Sequence, residues 1–262
     1  MGVKTVISLD ELNILFPSYG FKVLDSTSSG VVDTTYIISD SSNSYILKKY
    51  ERDISSKINE DIKLLKELHS FGLNVPLCLD QNKGWFVYSK LKGSQPKHIK
   101  SYHVQALARF LAKLHKKTSK LSSEHNFVDS YKLPQLLRQI KSKHYSYYKR
   151  LQFLNDYNTL TDGLIHGDIF KDNTVFDKTK IGVFDFIDAG EGNFCFDAAV
   201  ALIGFGIKNT YFINLFLLSY NQNAPKKLSK KELMQELTTA SAFYALLRIN
   251  NYKNTQKAKE LL

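Results

Sequence analysis

Only two cysteines, Cys78 and Cys195, occur in the 262 residues. They stand far apart, outside any Cys-x-x-Cys pair or histidine cluster. Neither a disulfide framework nor a metal site of closely spaced thiolates is expected, and both thiols read as reduced core groups of a cytosolic protein. A long apolar run is also missing. The most hydrophobic region, residues 198–220, is broken by Lys208 and Asn209, which predicts two buried helices rather than a membrane span. The opening MGVKTVISLDEL has no basic stretch leading into an apolar one, so no secretory signal is expected. Internal repeats and low-complexity segments are absent as well. These absences point to a cytoplasmic chain with no membrane partner.

What is present is the composition of a folded protein. Hydrophobic residues make up 43% and charged residues 23%, with 17 Phe and 15 Tyr, enough to build a core. The length suits one bilobed domain or two closely packed subdomains. A net charge of +11 raises the question of nucleic acid, whose phosphates attract clustered Lys and Arg. The lysines, however, are spread along nearly every segment. In the densest stretch, Lys132 to Arg150, they alternate with Leu136, Leu137, Ile140 and Leu151 at roughly helical spacing. That pattern reads as a solvated helix face or as a general attraction to polyanionic nucleotides. With no nucleic-acid-binding fingerprint, no nucleic-acid partner is expected.

Along the chain, short aromatic and β-branched runs come first. Phe21 to Leu24, Thr34 to Ile38 and Tyr45 to Lys49 are separated by Ser, Gly, Asp and Asn, which predicts antiparallel strands. From Ser55 to Phe71 the period changes, with Ile58, Ile62, Leu65 and Leu68 marking an amphipathic helix that Gly72 stops. Residues 75–77 continue in an extended form and Gly84 to Tyr88 resumes as a strand. Residues 89–93, Ser-Lys-Leu-Lys-Gly, read as a hinge. Beyond it Val104, Leu107, Phe110, Leu111 and Leu114 form an apolar stripe ending at His115, and helical patterns dominate to the C-terminus. A hairpin-like stretch from Thr174 to Phe186 interrupts them. The expected division is therefore a strand-rich lobe over residues 1–89 and a larger helical lobe over residues 90–262.

The chemistry concentrates in residues 164–173, LIHGDIFKDN, followed by residues 174–177, TVFD, and residues 182–186, GVFDF. Phosphoryl transfer needs a carboxylate to orient and deprotonate the attacking hydroxyl, and oxygen ligands for Mg²⁺. Asp168 can supply the first; Asn173, five residues on, and Asp185, twelve further, can supply the second. Singly, each has a plainer reading, Asp168 as an Asx-turn residue and Asn173 as a turn former. Asp185, flanked by Phe184 and Phe186, would be costly to bury on a strand without a partner, and a metal would give it one.

HGDIFKDN followed by FDF resembles the catalytic loop and metal-binding motif of the protein-kinase-like phosphotransferases, a superfamily that includes aminoglycoside phosphotransferases, choline kinases and the homoserine kinases of that fold. Where protein kinases carry Arg in the first motif this chain has Gly167, the small-molecule version. The resemblance covers essentially the whole chain. It implies an α+β, bilobal protein-kinase-like fold, with a small antiparallel-sheet N-lobe and a larger, mainly helical C-lobe. It also implies a phosphotransferase using ATP and Mg²⁺, with Asp168 as catalytic base and Asn173 and Asp185 as metal ligands. Asp197 resembles the buried aspartate that braces the catalytic loop, and His166 reads as a structural hydrogen-bonding residue. Lys48 resembles the strand lysine that holds the α- and β-phosphates, with an exposed strand lysine as the competing reading. Glu60 or Asp61 would be its helix partner. Residues 28–31, with Gly30, fall where a phosphate-covering loop belongs, although one glycine also suits an ordinary hairpin turn. Tyr88 to Leu91 would offer backbone groups to adenine.

For the acceptor, Phe170 after the HGD loop, the Asn-x-Val-Phe-Asp run and the Leu9 to Leu12 entry resemble homoserine kinases. Arg248 resembles an arginine that could pair with a substrate carboxylate, or it is an exposed helix charge. The run after Asp185, with Asp188 and Glu191, looks closer to aminoglycoside enzymes, and the chain is somewhat short for a homoserine kinase. Asp188 could serve either acceptor. The expected reaction is phosphorylation of L-homoserine, a step of threonine biosynthesis. Aminoglycoside or choline phosphorylation is the alternative, and a monomer or homodimer is expected. A catalytically dead nucleotide-binding scaffold is the non-enzyme alternative, and it predicts loss of groups that this chain retains.

Overall fold

A computed structural model describes residues 4–27, 33–123, 125–157, 160–251 and 255–262. Its backbone separates into two compact units, Met1–Lys92 and Gly93–Leu262. In the first, α1 (Leu9–Leu15) begins with a reciprocal cap. The Glu11 N–H donates to Ser8 Oγ at 3.2 Å and the Ser8 N–H donates to the Glu11 carboxylate at 2.8 Å. A five-stranded antiparallel sheet follows, built from β1 (Val23–Ser26), β2 (Thr34–Ser39), β3 (Ser44–Lys49), β4 (Cys78–Asn82) and β5 (Trp85–Ser89) in the order β1-β2-β3-β5-β4. Between β3 and β4 runs α2 (Ser55–Ser70).

The alternation of the pleat divides the sheet's residues between two faces. Tyr36, Ile38, Leu47, Trp85 and Val87 join Leu12 and Phe16 of α1 in one buried cluster. Lys48 pairs with Phe86 and Ile46 with Tyr88, so these four occupy the opposite face. The strand expected at Gly84 to Tyr88 is half of a hairpin. Its partner β4, CLDQN, is too polar to announce itself.

The second unit opens with α3 (Ser101–Thr118), which continues one turn past the apolar stripe and buries His115. Residues 132–150 form two helices, α4 (Leu133–Lys143) and α5 (Tyr145–Leu151), broken at His144. Leu133, Leu137 and Ile140 are buried there while Lys141, Lys143, Lys149 and Arg150 stay exposed, the arrangement of a solvated face. Then β6 (Gly163–Ile165) leads into the loop of residues 166–173, followed by the hairpin of β7 (Thr174–Asp177) and β8 (Lys180–Val183). A short β9 (Gly190–Gly192) returns antiparallel to β6.

The chain ends in α6 (Phe194–Gly204), α7 (Thr210–Asn221), α8 (Lys230–Asn251) and α9 (Thr255–Leu261). Helix α6 is buried nearly all round and packs on α8, while α7 packs on α3. Among the described residues no helix is long and apolar enough to cross a membrane.

Candidate active site

The loop after β6 is fixed by buried hydrogen bonds before any catalytic group is reached. Asp197, in the first turn of α6, accepts the His166 N–H at 3.2 Å on Oδ2 and the Gly167 N–H at 2.8 Å on Oδ1. His115 Nε2 reaches the same Oδ2 at 3.0 Å, and His115 Nδ1 lies 2.7 Å from the Tyr220 hydroxyl. A carboxylate only accepts, so His115 Nε2 is the donor to Asp197. Burial opposes charge on Asp197, yet the bonds from His115 and from the Gly167 N–H hold its carboxyl below the ordinary range.

His166 is spent in the same way. The Asp168 N–H donates to its Nδ1 at 3.2 Å, which leaves Nε2–H to donate to the Phe184 carbonyl at 3.1 Å. Both ring nitrogens are thus committed in a neutral tautomer, and burial lowers the pKa accordingly. One consequence is positional: the loop carrying Asp168 is tied to the segment carrying Asp185. Gly167 has φ +75°, and a Cβ there would lie 2.1 Å from the Phe127 ring, so any larger residue would meet both backbone strain and a steric clash.

Asp168 itself is half-buried. Its Oδ2 accepts from Asn173 Nδ2 at 3.1 Å and its Oδ1 from the Tyr244 hydroxyl at 3.0 Å. Tyr244 also donates to the Gly167 carbonyl, and Asn173 Nδ2 donates to the Asp168 carbonyl at 2.9 Å. Burial pushes the Asp168 carboxyl up to about 7 against the Tyr244 bond, and Asp185, Asp172 and Asp188 add to the rise.

Asn173 and Asp185 suit a hard divalent cation by chemistry. Two acceptors fix the amide's Nδ2 on Asp168, so its Oδ1 is the end left to ligate. The Phe184 N–H donates to the Asn173 carbonyl at 3.1 Å, which holds the two segments together. Among the described residues no three His, Cys, Asp or Glu side chains gather into a metal-binding group.

The expectation that Asp185 sits buried on a strand is corrected here. Strand β8 ends at Val183, and Asp185 is exposed in the following loop with φ +69°. Asp tolerates this left-handed region better than most residues, and such outliers concentrate at functional sites.

Arg248 is half-buried one turn beyond Tyr244 on α8, with its guanidinium carbon 5.8 Å from the centre of the Phe170 ring. The reading of Arg248 as a plain exposed helix charge does not describe it. Phe170 stacks in turn on Tyr244 at 4.8 Å. Asp188 is half-buried in the turn before β9 and close enough to act on Asp168. Tyr244 and His115 were not legible as site residues. Tyr244 lies 76 residues from Asp168 with no motif around it, and His115 reads only as the end of an apolar stripe.

In the first unit, Lys48 lies on the sheet face shared with Phe86 and Tyr88, its Nζ 4.7 Å from the centre of the Tyr50 ring. On α2, Asp61 is buried with Ile58, Leu65 and Leu68, whereas Glu60 is exposed. Asp61 is the carboxylate facing inward, near Tyr88, whose hydroxyl lies 3.1 Å from that of Tyr50. Tyr88 stands within β5, flanked by β3 and β4, so its backbone belongs to the sheet and residues 90–92 are the ones beyond it. Gly30 and its neighbours, residues 28–32, lie outside the described residues.

Comparison with known proteins gives a consistent picture. The profile of the phosphotransferase enzyme family, APH, matches residues 26–221. Homoserine kinase of Polaromonas naphthalenivorans is 24% identical, over 93% of this chain and 87% of its own length. Homoserine kinase of Janthinobacterium sp. is 21% identical, over 100% of this chain and 91% of its own. Among solved structures, a macrolide 2'-phosphotransferase type I superposes with a TM-score of 0.69 at 19% identity, covering 99% of both chains. The choline kinase LicA from Streptococcus pneumoniae does so with a TM-score of 0.69 at 16% identity, covering 96% of both. These structural likenesses carry the kinase-like fold.

Proposed function

The chain belongs to the APH phosphotransferase enzyme family, and from that premise we propose that it transfers the γ-phosphoryl group of Mg²⁺-ATP to the hydroxyl of L-homoserine. The observation that carries the acceptor is Arg248, half-buried on Phe170 and one helical turn from the tyrosine that touches Asp168. A guanidinium so placed forks onto a carboxylate, which homoserine has and choline lacks. Relatives that are homoserine kinases over nearly their full lengths support the same choice. Asp188 is the counter-charge for the substrate ammonium.

Asp168 orients the attacking hydroxyl and accepts its proton on a carboxylate lone pair that neither Asn173 nor Tyr244 occupies. Asn173 Oδ1 and Asp185 hold the metal, whose charge offsets that of the phosphates. Lys48 binds the α- and β-phosphates and Asp61, rather than Glu60, is its carboxylate partner. The Asp197 and His166 bonds keep the loop rigid while the reaction proceeds.

Release of ADP from Mg²⁺-ATP, measured with L-homoserine, choline, kanamycin-type aminoglycosides and methylthioribose, tests the reading, with Asp168→Asn as the inactive control. Turnover on homoserine should lead the panel. Arg248→Ala should raise its KM by about 10- to 100-fold, the usual cost of a lost charge-assisted pair. Preferential turnover of choline or an aminoglycoside would remove homoserine as the substrate.

A further inference from the structure

We infer that Tyr244 is a positioning residue for phosphoryl transfer, holding the Asp168 carboxylate in its working orientation. The inference rests on the kinase reading above and concerns a residue outside the HGD and FDF segments.

Asp168 can swing about its side-chain torsions unless both oxygens are held. Asn173 Nδ2 holds Oδ2 from within the loop, and the Tyr244 hydroxyl holds Oδ1 from α8. The hydroxyl has one hydrogen, shared between Asp168 Oδ1 and the Gly167 carbonyl, so one phenol bridges the backbone and the side chain of the loop. Tyr244 is buried, and its ring packs against Phe170 at 4.8 Å and Phe243 at 5.2 Å, which fixes where the hydroxyl points. Each carboxylate oxygen retains a second lone pair, so the clamp leaves room for a substrate hydroxyl. A base held this way meets the acceptor in one geometry, and small misplacements at such a centre cost large factors in rate. Phenylalanine keeps the ring packing and removes only the clamp.

The test is Tyr244→Phe in the full chain, measured for kcat, for KM of ATP and acceptor, for nucleotide affinity and for thermal unfolding. A fall in kcat of roughly 10- to 100-fold is expected, with both KM values and nucleotide affinity within about twofold of the parent. An unchanged kcat overturns the inference, as does a loss in kcat matched by equal losses in affinity and folded fraction. Should the phenylalanine variant not fold, Tyr244→3-fluorotyrosine keeps the ring and hydroxyl and reports by ¹⁹F NMR. Its resonance should move when Asp168→Asn is added, and a fixed resonance overturns the inference. That readout needs no turnover, so a parent chain silent on every hydroxyl would sink the proposed function and leave the clamp separately tested.

Discussion

Asp168 is pressed by burial and by three other carboxylates while two neutral donors hold it in place. Its pKa near 7 lies above the ordinary carboxylate value, so in the absence of metal the folded state binds the extra proton between about pH 4 and pH 7. Stability must then fall as pH rises through that window, by up to roughly 4 kcal/mol. Asp168→Asn removes the charge while keeping a group that can bond Tyr244 and Asn173. Metal-free melting curves should show the variant more stable than the parent at pH 8, with the difference shrinking toward pH 4. An equal difference at both pH values would mean that this carboxyl does not titrate there.

The residues around it were unevenly legible. Asp168, Asn173 and Asp185 stand within 18 positions of one another, in a motif whose spacing serves one kind of chemistry. Tyr244 reaches the same carboxylate through tertiary packing, which no local pattern encodes. For Asp185 the flanking phenylalanines suggested burial, but the chain has left the strand and the carboxylate is exposed.

At the level of elements, the loop after β6 is suspended from three helices, by Asp197 of α6, backed by His115 of α3, and by Tyr244 of α8. Its sharp turn needs Gly167 for two separable reasons, a positive φ and the Phe127 ring that fills the space a Cβ would take. Gly84, in the β4–β5 turn, shares the positive φ of +78° but faces nothing within 4 Å. Gly84→Ala should therefore cost about 1 kcal/mol, from backbone conformation alone. Gly167→Ala adds overpacking and should cost roughly 2–4 kcal/mol together with most of the activity. Denaturant unfolding of the pair checks this, and equal costs would remove the steric part of the argument.

Long elements with an apolar stripe, such as α2 and α3, were readable from period alone. Strands β6 and β9, three residues each, the first opening on Gly163 and the second bounded by Gly190 and Gly192, carry too few side chains to show alternation. Helix α1 was not anticipated, because its single buried residue, Leu12, gives little periodic support and only the Ser8 to Glu11 capping box marks its start.

Over the whole molecule, the excess of lysine remains after fold and site are accounted for. The net charge of +11 is dispersed, and the densest segment keeps its cations on the outer side of α4 and α5. Dispersed positive charge forms no docking surface, yet it creates a field that draws in anions from beyond contact range. Mg²⁺-ATP is a dianion, homoserine is a zwitterion without net charge, and choline is a cation. The field should therefore attract the first, leave the second nearly unaffected and repel the third.

At 0.1 M salt the screening length is about 10 Å, so raising ionic strength from about 20 to about 200 mM suppresses the long-range part and spares close contacts. KM for ATP should rise by something on the order of threefold, KM for homoserine should hardly move, and kcat should stay constant because the chemical step depends on groups in contact. A cationic acceptor would behave oppositely, its KM falling as the repulsion is screened. Salt titration of both KM values thus checks the electrostatic argument and the acceptor's charge together. An ATP KM independent of salt would show that the surplus cations act only on solvent, and a falling acceptor KM would favour a cationic substrate over homoserine.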